Sequence, residues 1–148
     1  MTIWRVLLWA WIASMVCVVM GVPLAQATGW EDAGVGAILG RIIGHGSLNA
    51  AMLLIVHSPV FSMLRRWRAI NPAVGTLIGV LIPLTALLLI SNPTATTWSE
   101  KLSETTETYI DHPELFASEW LSFLVGGAVF GFLYCRTFIA KTFERKAD

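Results

Sequence analysis

The sequence predicts an all-α integral membrane bundle of four transmembrane helices, joined on one side by a short amphipathic loop helix. Three observations predict it. Of 148 residues, 55% are hydrophobic, and the mean hydropathy is +0.67. Only 14% are charged, where a soluble domain carries about a quarter. Apolar stretches approaching the roughly 20 residues of a spanning helix recur along the chain, and the charges between them separate by sign. The approximate spans are 5–24, 33–61, 73–91 and 115–140, in one polytopic domain.

The first stretch, Val6 to Leu24, is uncharged. It follows Arg5 and ends at Ala25-Gln26-Ala27, an A-x-A pattern of the kind signal peptidases cut. Two readings stay open. The length of the apolar run, with Trp9 and Trp11 inside it, favours a retained helix. Cleavage of residues 1–27 as a signal peptide would leave three helices.

The second stretch, Ala33 to Phe61, holds GRIIGHGSLN at residues 40–49. Arg41, His45 and Asn49 are four apart, so on a helix they share one face, about 6 Å apart along the axis. Gly36, Gly40 and Gly44 run parallel on one flank; Gly46 and Ala50 lie on the other. Small residues let helices approach closely. The polar stripe is therefore expected to face protein, because an arginine in lipid near mid-bilayer costs at least about 2.5–3.5 kcal/mol. Counted from Gly34, Arg41 lies about 10 Å deep, where an outer carboxylate could pair with it. Glu119 at the top of the fourth stretch is the expected partner, with Glu31 and Asp32 as alternatives. His45 falls near mid-depth. It is read as a hydrogen-bonded packing residue, a haem b ligand or a proton-handling group. Asn49 is read as a hydrogen-bonding link between helices. His57, beside Ser58-Pro59, is expected near the membrane interface.

The third stretch, Ala73 to Ile90, begins after Asn71-Pro72, a sound helix start. Pro83 lies in its middle and deprives the Gly79 carbonyl of its helical partner. A connection from Ser91 to Ser118 follows. Thr97-Trp98-Ser99-Glu100 is a capping-box pattern, and Trp98, Leu102, Tyr109 and Ile110 follow helical spacing, so a short interfacial helix is predicted over 98–111. The fourth stretch, Glu119 to Ala140, is expected to start near Pro113. Gly75-x3-Gly79 and Gly127-x3-Gly131 repeat the small-x3-small pattern in the third and fourth stretches.

Charge predicts the threading. Arg5, Arg65, Arg66, Arg68, Arg136, Lys141, Arg145 and Lys146 fall on one side, eight of the ten basic residues. Glu31, Asp32, Glu100, Glu104, Glu107, Asp111 and Glu114 fall on the other, joined by Lys101. The positive-inside rule then puts both termini in the cytoplasm, and with the A-x-A pattern this fits a bacterial inner membrane.

His45-Gly46-x-Leu48, with Pro59 and Arg65 downstream, resembles one helix of the cytochrome b561 type. That resemblance implies haem b with His45 as a histidine ligand; His57, twelve residues on and offset by about 120°, could not share its metal and would ligate a second haem. The family draws further ligands from other helices, and the third and fourth stretches contain no histidine. The version that survives is a symmetric dimer donating His45 twice.

Other chemistry finds little support. Net charge is zero, so no basic field invites nucleic acid. Cys17 and Cys135 are isolated, with no metal-ligand spacing. Ser47 has no base or oxyanion constellation around it, so no catalytic residue is assigned. The function expected from the sequence is a small accessory, assembly or stabilising subunit, docking by helix packing onto another membrane protein or onto itself. The alternatives are a haem b or proton carrier centred on His45, and a homo-oligomeric channel lined by the Arg41–His45–Asn49 stripe.

Overall fold

The computed structural model describes residues 2–27, 34–66, 70–90, 96–111, 120–139 and 141. All regular structure among them is helical. The first helix, α1, is Ile3–Ala27. The second apolar stretch forms α2 (Val35–Met52), a π-turn at Leu53–His57 and α3 (Ser58–Leu64), in one continuous rod. Then come α4 (Pro72–Ile90), α5 (Trp98–Asp111) and α6 (Leu121–Tyr134), the last extended by a second π-turn at Cys135–Ile139. Four helical segments are long and apolar enough to cross a membrane: Ile3–Gly21, Leu39–Leu64, Pro72–Leu89 and Leu121–Ile139.

Local chemistry accounts for the helix ends. Asn71 caps α4, its Oδ1 accepting the Val74 amide at 3.0 Å, while Pro72 occupies the first turn, where a missing N–H costs least. At α5 the capping box closes in both directions. The Glu100 amide donates to Thr97 Oγ1 at 3.3 Å, and the Thr97 amide donates to Glu100 Oε2 at 3.2 Å. The Thr96 amide and hydroxyl add two more bonds to that oxygen, each 3.1 Å. These donors, the Thr97 amide first, hold the Glu100 carboxyl below its ordinary value. The π-turn in the second rod precedes Pro59, and the Ser58 amide reaches back five residues to the Leu53 carbonyl. Pro59 lacks an N–H and crowds the turn behind it, and a widened turn accommodates this.

Helix α6 is the centre of the bundle. Its glycines and aromatics are buried on several sides, and both α1 and α4 lie along it. On α1 the inward face is Val6, Ala10, Ser14 and Val18, recurring every fourth residue and fully buried. Leu8, Trp9, Val16 and Met20 point outward, as befits a helix whose other face meets lipid. The densest packing involves Leu53, Phe61, Phe130, Tyr134, Cys135 and Ile139 with Val6 and Ala10. The rings of Phe61, Phe130 and Tyr134 meet within it tilted or edge-on, at centroid separations of 5.5–5.7 Å. Successive spans alternate in direction, so Arg5, Arg65, Arg66 and Arg136 share one end of the bundle, and α5 with Glu100, Glu104, Glu107 and Asp111 follows from the other.

Candidate functional site

Two polar side chains of the second rod make different contacts. Asn49 is buried, and its Nδ2 donates to Ser14 Oγ of α1 at 3.0 Å. Ser14 in turn donates to the Trp11 carbonyl at 2.9 Å. A methyl added at Gly126 would collide with the Asn49 carboxamide and stand 3.2 Å from Ser14 Cβ. Ser14, Asn49 and Gly126 thus join α1, α2 and α6 in one node. The sequence offered Ser14 only as a lone hydroxyl in an apolar run, a signal that can be read as an interhelical hydrogen bond once a partner is known.

His45 is half-buried and stays within its own helix. Its Nδ1 stands 3.0 Å from the Arg41 carbonyl, the donor position of that nitrogen. Its ring tilts against Phe123 of α6, with centroids 5.9 Å apart. Arg41, one turn earlier, is half-buried. Its expected partner Glu119, and the alternatives Glu31 and Asp32, lie outside the described residues.

His57 is buried among the helices, 1% exposed. Its Nε2–H donates to the Gly79 carbonyl at 3.2 Å, and its ring meets Phe130 edge-on at 6.1 Å. Gly79 is the residue whose carbonyl loses its helical partner to Pro83, which is itself fully buried. The histidine therefore supplies, inside the bundle, the hydrogen bond that the proline removes. The π-turn at Leu53–His57 brings its last residue to this place, and two glycines make room for it. A Cβ at Gly127 would stand 3.0 Å from His57 Nε2 and collide with the Gly79 carbonyl.

The glycine patterns divide into two kinds. Gly75 faces Gly131, and Gly79 faces Gly127, so α4 and α6 cross antiparallel with backbones touching. A Cβ at any of the four would strike the opposing carbonyl. Gly46 is likewise closed, by the Trp11 indole. Gly36, Gly40 and Gly44 are exposed, and nothing among the described residues comes within 4 Å of where their Cβ atoms would be. Among the described residues the small-residue flank expected to receive a neighbour is thus uncovered, while α1 lies on the Gly46 side.

Among the described residues no three His, Cys, Asp or Glu side chains group to hold a metal ion. Compared with family models, with curated proteins and with solved structures, the chain matches none.

Proposed function

We propose that the protein is a small membrane subunit that docks through its second rod onto a transmembrane helix of another protein or of a second copy. The observation that carries this reading is the open Gly36–Gly40–Gly44 face. Elsewhere in this chain glycines at four-residue spacing lie backbone to backbone against a mate. Here the same spacing has no mate among the described residues, and it is flanked by exposed Leu39, Ile43 and Leu48. In lipid, glycine exposed along a helix offers no side-chain contact, whereas a close helix regains van der Waals contact along the whole groove. Half-buried Arg41 and His45, on the neighbouring face, would give such a docking its polar selectivity. We place both termini in the cytoplasm of a bacterial inner membrane, a reading supported by the gathering of arginines at one end of the bundle. Helix α1 we take as retained, since Val6, Ala10, Ser14 and Val18 contribute buried contacts.

The test is purification from native membranes in mild detergent, with mass and absorbance measured together. The expected result is a complex heavier than the 16.2 kDa chain, dispersed by Gly40→Leu or Gly44→Leu and untouched by Leu77→Ala on the exposed face of α4. A monodisperse monomer, or a complex indifferent to both glycine variants, refutes it. A Soret band lost on His45→Ala would establish the haem b reading in its place.

A further inference from the structure

We propose that the groove between α1, α4 and α6 at the arginine-rich end binds one anionic glycerophospholipid of the adjoining leaflet, phosphate toward Arg136 and an acyl chain against the helices. The groove has a volume of about 660 Å³. Its walls are Trp9 of α1, Thr76 of α4, and Ala128, Val129, Phe132 and Leu133 of α6, and Arg136 and Thr137 of the following π-turn close its polar end. Chemistry is graded along it. Ala128 lies eight residues from Arg136, about 12 Å along a helix. Counted from Ile139, where the span ends, Arg136 is about 4.5 Å deep and Ala128 about 16 Å. The groove therefore runs from headgroup level to the middle of a hydrocarbon layer about 30 Å thick, the depth of one leaflet.

Charge selects the occupant. Arg136 is exposed at the mouth. Arg5, also exposed, lies one turn before the lining residue Trp9 on the same face of α1, so α1 carries a second cation one turn beyond the groove wall. The hydroxyls of Thr76 and Thr137 donate to their own helices, at 2.9 Å to Pro72 and 2.5 Å to Leu133. They leave phosphate binding to the guanidinium groups, which are suited to it. Two further grooves, of about 400 Å³ between α2 and α4 and about 340 Å³ between α1 and α2, have no charged lining residue. They fit acyl chains without preference for a headgroup. A basic mouth over an apolar cleft between helices is the arrangement that holds anionic headgroups.

The experiment titrates phosphatidylglycerol, and separately phosphatidylcholine, into the detergent-purified full chain and counts bound lipid by native mass spectrometry. The expected result is one tightly held phosphatidylglycerol per chain, with phosphatidylcholine bound more weakly. Arg136→Gln should weaken the anionic lipid about fivefold, Arg136→Lys should restore part of the loss, and Arg66→Gln should change little. A phosphatidylglycerol carrying a photoreactive acyl chain should label Val129 or Phe132 in the wild-type chain, and free glycerol phosphate should not compete. Equal losses for Arg66→Gln and Arg136→Gln would reduce the effect to general surface charge and overturn the proposal. So would an unchanged affinity in Arg136→Gln, labelling outside the groove, or competition by glycerol phosphate, which would mark a soluble-phosphate site.

Discussion

At the scale of single residues, two buried hydrogen bonds between helices organise the bundle. His57 and Gly79 are 22 positions apart, and their bond exists because Pro83 leaves a carbonyl without a donor. This makes a specific prediction. His57→Phe should destabilise the protein by about 1–2 kcal/mol, and the cost should shrink when Pro83→Ala restores an N–H to the same carbonyl. A double-mutant cycle of unfolding in detergent measures the coupling; additive effects would show the two residues to be independent. Asn49→Ala and Ser14→Ala should couple by about 0.6 kcal/mol, the average for such pairs. Half of this was legible in the sequence. Pro83 announced the orphaned Gly79 carbonyl, and Asn49 announced a hydrogen bond between helices. Neither partner was legible, because the spacing of residues along one helix says nothing of what stands opposite. That His57 is the donor for Gly79 was not legible either, because it depends on the π-turn and on the gap that Gly127 leaves.

At the scale of elements, small-x3-small spacing states only that close approach is sterically allowed. Gly75–Gly79 with Gly127–Gly131, and Gly36–Gly40–Gly44, look alike in the sequence and meet opposite fates. Leucine at Gly79 or Gly127 must strike a backbone carbonyl, and should cost about 3 kcal/mol or more by thermal unfolding in detergent. Leucine at Gly40 should leave that midpoint unchanged, since nothing described lies in its way. Where the cap is local, by contrast, the helix was legible: Trp98–Asp111 follows from its capping box, while the expected start of the fourth helix near Pro113 lies outside the described residues. The same box carries a pH dependence. The folded Glu100 carboxyl is held below its ordinary value, so its contribution is present above about pH 4.3 and is lost as pH falls through the lower folded value. Amide exchange in α5 should therefore speed up on acidification. In Glu100→Gln it should be faster at neutral pH and should lose most of that dependence.

At the scale of the molecule, four apolar spans and a sorted set of charges were visible from composition and position alone, since a bilayer constrains length and charge more tightly than any packing rule. The surface is where the sequence was least informative: large apolar side chains stand outward on every span, and Gly36, Gly40 and Gly44 of the second rod are exposed with nothing among the described residues against them. One consequence concerns the order of assembly. Inserted by itself, α4 carries a carbonyl with no donor into hydrocarbon, at a cost of several kcal/mol. Its donor, His57, comes from the rod inserted before it, and Gly127 of α6 packs against both groups. The third span thus takes its last donor from the second, and a nascent chain stalled before residue 120 should be shorter-lived in the membrane when His57→Phe removes that donor. A pulse-chase comparison of His57→Phe with wild type in such truncated chains measures that dependence; with Pro83→Ala added, the variant should persist longer.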